Sequence, residues 1–268
     1  MRFTLLLILA SSLNAAGCLN YVRSEGNVLE DRRDWDAASA VYQDALRRCG
    51  SEIGGHGRVW LLTTLGQLSF QQGNYSDARR WLRQASAALA TMPAASRVQL
   101  QLQNASAALH LVEGKLALAE SELLAAASTA ERLADRQALA SALHNLASVE
   151  MQTGRLAAAE EHQRRALGVW RAELGDRNET VMRAWISLSS VQGLRGEWRA
   201  AEQSLLAAVA IAETPEALAN YAVVLDQLKR GKEAKAIRRR LPPATPLPAA
   251  IDIRALPYGG QPLRARSR

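Results

Sequence analysis

Read for its apolar and small positions alone, the chain repeats itself. In "LHNLASVEMQTGRLAAAE" (143–160) such residues fall three and four apart before Gly154 and again after it, the spacing of one buried stripe on each of two helices. The arrangement returns at "WISLSSVQGLRGEWRAAE" (185–202), 42 residues later, with the small and apolar positions kept and the charged ones changed. One phrase marks every copy: a small or polar pair, an aromatic residue or Leu, two residues, then Ala. It occurs as RDWDAA (33–38), GNYSDA (73–78), GKLALA (114–119), GRLAAA (154–159) and GEWRAA (196–201), with starts 40, 41, 40 and 42 residues apart. A weaker copy, KRGKEA (229–234), follows after 33.

The pattern predicts helix, turn, helix in each copy, with Gly73, Gly114, Gly154 and Gly196 ending the first helix in the left-handed region. Small residues recur in three series: Gly26, Gly66, Ala107, Ala147, Ser189 and Ala222 on first helices; Ala38, Ala78, Ala119, Ala159, Ala201 and Ala234 on second helices; and Ala45, Ala85, Ala126, Ala166 and Ala208 seven residues further on. Facing one another, the first two series let paired helices approach closely, and the third receives the next hairpin. Trp35, Tyr42, Tyr75, Leu82, Leu123, Trp198 and Leu205 are expected to fill the space between them. One hairpin cannot bury its own apolar face, so neighbouring copies must share a core.

Composition agrees with an all-α chain: hydrophobic content is 48%, aromatic content only 5%, and alanine dominates the apolar fraction. The net charge of +7 is local, because residues 1–215 carry 22 charges of each sign and the excess lies beyond them. The basic stretch "KRGKEAKAIRRR" (229–240) suits the C-terminal pole of a last helix, or a polyanion site. Nucleic acid is disfavoured because no aromatic residues interleave with the charges. His56, His110, His144 and His162 are scattered along the copies with neither metal-ligand nor nucleophile–base spacing, and "GGHG" (54–57) has no strand before it, so neither catalysis nor a cofactor is expected.

The helix–turn–helix copies resemble the tetratricopeptide repeat over about residues 19–240, with "TLGQLSFQQGNYSDA" (64–78) the best single match. Their spacing, the long second helix and the "LG" loop are similar to the kinesin-light-chain type. Gln163 and Glu150 stand where that pattern has aromatic residues, and the usual closing proline is missing. The resemblance implies a right-handed superhelical solenoid of about six hairpins that is not an enzyme and binds a partner protein or extended peptide along first helices lining its concave side. Carried over by register, the groove residues are Arg23, Asn27, Trp60, Thr63, Gln67, Asn104, His144, Asn145, Ser148, Arg183, Ser187, Asn220 and Val223. Asn145 and Asn220 match the asparagine that holds a ligand's main chain in peptide-binding relatives, an amide being able to donate and accept at once.

The ends read differently. Arg2 followed by an uncharged apolar run, Phe3–Leu13, and then small residues is the pattern of a secretory signal over residues 1–17, too short to stay as an anchor. The solenoid would then span 18–240, and a Pro-rich basic tail 241–268, holding six of the chain's eight prolines, is expected to be disordered. The chain is thus expected to be exported, periplasmic or extracellular. "AAGC" resembles the lipobox of bacterial lipoproteins except for Ala15, so Cys18 is a candidate for lipidation, which would tether the protein to the envelope as an assembly component. Alternatively Cys18 bonds to Cys49, the only other cysteine, or both thiols stay free. Membrane contact is expected only if Cys18 is lipidated.

Overall fold

The computed structural model describes residues 15–32, 34–49, 53–92 and 97–242, with side chains in the first helix described from Val22 to Glu30. The expected signal, apart from Ala15–Gly17 at the start of the first helix, and the expected tail from residue 243 onward lie outside the described residues. Among the described residues all regular structure is helical, in twelve elements. They are α1 (Ala15–Asp31), α2 (Trp35–Cys49), α3 (Gly54–Gln71), α4 (Tyr75–Leu89), α5 (Arg97–Val112), α6 (Leu116–Arg132), α7 (Arg136–Gln152), α8 (Leu156–Leu174), α9 (Glu179–Leu194), α10 (Trp198–Ile211), α11 (Pro215–Gln227) and α12 (Gly231–Arg238). None is long and apolar enough to cross a membrane. The chain divides into two compact units between Leu109 and His110, inside α5.

Unit 1 is built on two cores. Val22, Tyr42, Leu61, Leu65 and Leu68 join α1, α2 and α3, while Val59, Leu62, Ala78, Leu82, Leu102 and Leu109 join α3, α4 and the part of α5 up to Leu109. In unit 2, Leu143, Leu167, Trp170, Val181 and Leu188 bind α7 to α8 and α9; Ile186, Leu205, Tyr221, Val224 and Ala234 continue the packing through α10, α11 and α12. Every residue of the three small series is buried. The steric reason is visible at Gly26, where a Cβ would lie 2.3 Å from the Tyr42 ring, and at Gly66, where it would lie 2.7 Å from Leu82. Tyr75 departs from expectation: it opens α4 just after the turn, stays exposed, and rests on Phe70 at 5.4 Å between ring centroids.

One closure serves the turns. Gly73, Gly114, Gly154 and Gly196 all take positive φ, and the following amide reaches back to the helix: Asn74 N to Ser69 O, Lys115 N to His110 O, Arg155 N to Glu150 O and Glu197 N to Gln192 O, each 2.8 Å. This six-to-one bond satisfies a carbonyl that the helix end would otherwise leave open. The last hairpin keeps the bond, Arg230 N to Leu225 O at 2.9 Å, but Lys229 with φ +62 takes the glycine's place. Connections between successive hairpins in unit 2 use side-chain caps, Asp135 accepting from Ala138 N, Asn178 from Thr180 N, and Thr214 from Ala217 N ahead of Pro215.

Unit 2 also carries a recurring ionic clasp. The residue after the small alanine of α6, α8 and α10 is Glu120, Glu160 and Glu202 in turn, and each meets an arginine from the next hairpin's turn: Arg155 at 2.7 Å, Arg195 at 2.7 Å, and Arg230. Glu160 is nearly buried and is held by Arg164 as well. The exposed pair contributes little to stability, about 0–1 kcal/mol, so the clasp's value lies in fixing the register between neighbouring hairpins.

Candidate functional site

The register that buries the small residues turns a second set of positions, on the same first helices, into polar tracks. In unit 1, Arg23 and Asn27 sit on α1, Trp60, Thr63 and Gln67 on α3, and Asn104 on α5. Trp60, Thr63 and Gln67 are three and four residues apart and share one helix face. The Arg23 guanidinium lies 4.6 Å from the Trp60 ring centroid, and Trp60 meets the fully buried Tyr42 edge-on at 5.7 Å. Tyr42 in turn donates its hydroxyl to Glu30 Oε1 at 2.6 Å. Thr63, Gln67 and Asn104 are buried, yet Thr63 Oγ1, Gln67 Nε2 and Asn104 Oδ1 have no hydrogen-bond partner among the described residues. Each shielded and unbonded polar group costs about 1–3 kcal/mol, which a chain selected for stability alone would remove.

In unit 2 the predicted residues divide into two kinds. His144 faces inward: its ring packs on Trp170 at 5.3 Å and its Nδ1 lies 2.9 Å from Gln163 Oε1. Gln163 Nε2 donates to the Ala184 carbonyl at 2.9 Å, so its oxygen is left to accept, and His144 Nδ1–H is the donor. This amide stands where the repeat pattern has an aromatic residue, and it joins α7, α8 and α9 with two hydrogen bonds. Burial first, and then Arg183, lower the His144 pKa to about 4, against the hydrogen bond to Gln163, so the ring is neutral at neutral pH. Asn145, Ser148, Ser187 and Asn220 are buried along the first helices; Ser148 donates to the His144 carbonyl, and Asn220 Oδ1 has no hydrogen-bond partner among the described residues. Arg183 is exposed and paired with Glu179 at 2.6 Å, and Val223 is half-buried.

The family model described as tetratricopeptide repeat matches residues 9–91 and 138–214. The chain belongs to the tetratricopeptide-repeat family. Solved structures share the tetratricopeptide fold at low identity. BtubC (BKLC) from P. vanneervenii is 18% identical, with 93% of this chain and 96% of that one covered and a TM-score of 0.61. A Rap protein complexed with competence and sporulation factor is 14% identical over 87% of this chain and 76% of its own, TM-score 0.66. The putative kinesin light chain of Podosopora anserina, with nearly identical TPR-like repeats, is 17% identical over 66% and 90%, TM-score 0.57. No curated protein sequence matches the chain.

Within this tetratricopeptide scaffold, two features bear on the alternatives. Cys49 is disulfide-bonded, and no cysteine among the described residues is free; the Cys18 side chain lies outside the described residues. At the basic end, Arg230 is held by Glu202 and Glu233, Arg238 by Asp226 and Arg240 by Glu213. Those pairs neutralise much of the charge that a polyanion would need. Among the described residues no group of three or more His, Cys, Asp or Glu is placed to hold a metal ion.

The Glu–Arg clasp and the His144–Gln163–Ala184 link were not anticipated from sequence. A signal for the first was present, since Glu120, Glu160 and Glu202 each follow an alanine of the second small series. The second had only the misplaced amide at 163 as a hint.

Proposed function

We propose that this chain is a non-catalytic, exported tetratricopeptide scaffold that captures a partner protein or an extended peptide on the polar tracks of its first helices. One observation carries the reading: Thr63, Gln67, Asn104 and Asn220, each on a first helix and within three residues of that helix's small position, keep shielded polar atoms without hydrogen-bond partners among the described residues. An extended main chain offers a donor and an acceptor at every residue and would satisfy such atoms. The Rap protein solved with competence and sporulation factor shows that the fold is compatible with a bound factor. The disulfide at Cys49 supports export, since such bonds persist in oxidising compartments. It also favours a soluble protein over an envelope-anchored one, because Cys18 is the only other cysteine in the chain and one sulfur cannot serve both a disulfide and a lipid.

The test uses the full mature chain as bait in an envelope extract beside an Asn145→Ala, Asn220→Ala variant, with the captured proteins quantified by mass spectrometry. A discrete partner should fall by about tenfold or more with the variant, measured at a temperature where circular dichroism shows both proteins fully folded. Equal capture by both proteins would remove the first-helix faces from the binding surface.

A further inference from the structure

The second helix α6 buries Ala119, Leu123, Ala126 and Ala130 on one side. Its opposite side presents Ala117, Leu118, Ser121, Leu124, Ala125 and Ser128, all exposed or half-buried. None of these six is charged, whereas the matching positions of α2, α4, α8 and α10 include Asp36, Arg80, Arg164 and Arg199. Leu118 at 53% and Leu124 at 54% are the most exposed of the large hydrophobic side chains among the described residues. A single exposed leucine is ordinary, but two on one uncharged helix face form an apolar patch with no partner in its own chain.

The order of residues on this face says what covers it. Outward from Ser121 it reads the same in both directions, with Leu at 118 and 124 and Ala at 117 and 125. At 3.6 residues per turn, Ser121 marks the middle of the face, and the leucines stand about 60° to either side of it. Such a face complements a copy of itself turned about a twofold axis, where residue i meets j and j meets i. Two α6 helices then run antiparallel, Ser121 opposite Ser121, with Leu118 of each copy level with Leu124 of the other across the seam. The small residues between the leucines allow the axes to approach to about 8 Å.

Charge favours the same direction. Lys115, just before α6, and Glu131, near its end, are both exposed. An antiparallel pair brings one copy's Lys115 within about 6 Å, along the axis, of the other's Glu131. A parallel pair would instead set like charges side by side. Glu120 and Glu122 lie on the flanks, off the seam; Glu120 is bonded to Arg155, and burial raises the pKa of Glu122.

We propose that α6 is a self-association surface through which two copies of this chain pair antiparallel about a twofold axis at Ser121. The seam from Ala117 to Ser128 is about 17 Å long and about 10 Å wide, well short of the roughly 800 Å² per partner of a standard interface. The dimer is therefore weak and reversible, with a Kd of about 10–100 μM. It is independent of the first-helix reading, since α6 is a second helix and either surface can fail alone.

Sedimentation velocity of the full mature chain from about 2 to 500 μM should show the mass rising from monomer to dimer. Leu118→Glu and Leu124→Lys should each weaken association by about tenfold or more, and the two together should restore it, because each level of the seam then pairs opposite charges. Ser121→Cys should give a covalent dimer under mild oxidation, as its two copies meet on the axis, while Gln203→Cys, at the matching position of α10, should not. All four positions are exposed, so circular dichroism should show every variant folded as the parent is. A monomer at every concentration, association untouched by Leu124→Lys, no recovery in the double variant, or equal cross-linking of the two cysteine variants would each overturn the proposal.

Discussion

The close approach of paired helices can be tested with one substitution made at two places. Gly26→Ala puts a Cβ 2.3 Å from Cζ and Oη of Tyr42 and 2.5 Å from Cε1. Carbon atoms prefer about 3.5–4.0 Å, so the ring must retreat by more than an ångström. It has little room, being fully buried, bonded to Glu30 at 2.6 Å and set edge-on against Trp60. Overpacking of this kind costs about 1–3 kcal/mol, and losing the hydroxyl's bond adds about 1 kcal/mol. Replacing glycine by alanine inside a helix returns about 1 kcal/mol. The net expectation is a loss of about 1–3 kcal/mol. Gly168→Ala, in the middle of α8, meets nothing within 4 Å and has only the helix gain, so it should stabilise by about 0.5–1 kcal/mol. Urea unfolding of the full chain followed by far-UV circular dichroism, with unit 1 and unit 2 transitions fitted separately, reads both changes. Two shifts of the same sign would refute the reasoning, because they would mean that the space between α1 and α2 is not tight.

Three further expectations follow from the same geometry. Lys229→Gly should stabilise unit 2 by about 0.5–1 kcal/mol, since Lys229 holds φ +62 where the four earlier turns have glycine, and an unchanged unfolding midpoint would show that its conformation carries no strain. His144, lowered from 6.5 to about 4 chiefly by burial, binds its proton more readily in the unfolded chain, so stability is fully present above pH 6.5 and falls as pH drops toward 4, by up to about 3 kcal/mol. Unfolding of His144→Gln across that window should lose this slope, and an unaltered slope would assign it to other groups. An alkylating reagent should label neither cysteine of the exported protein until reductant is added; a thioether-linked lipid on Cys18, seen by intact mass, would exclude the Cys18–Cys49 bond.

What the sequence displayed plainly was steric. Gly26, Ala38 and their counterparts mark places where anything larger collides, and such positions recur because each interface between hairpins repeats the same constraint. Turn glycines are legible for a similar reason, since few residues accept positive φ. Lys229 escaped because the turn is held by the bond from Arg230 N to Leu225 O and tolerates a strained residue; the nearest glycine, Gly231, opens the following helix instead. Polar links were hidden because a hydrogen bond depends on distances between separate helices and leaves no periodic trace. Gln163 illustrates this: in sequence it is a lapse from the aromatic pattern, and in the fold it spans His144 and the Ala184 carbonyl.

The positions of the first-helix tracks were legible, but their burial was not. Thr63, Asn104, Asn145 and Asn220 read as residues of an open partner-binding groove, and the fold shields all four. The cause is the small-residue code itself: alanine and glycine draw neighbouring helices so close that residues two or three positions before them are covered by the adjoining hairpin. The same contacts that stabilise the stack therefore strip water from the polar atoms beside them. A ligand reaching those atoms meets groups already desolvated and held in place, so much of the cost of ordering a binding surface has been met in folding. On the proposed reading, stability and recognition are set by neighbouring positions on the same helix, and a larger residue at Gly66, which would collide with Leu82, stands next to Gln67 and three residues after Thr63.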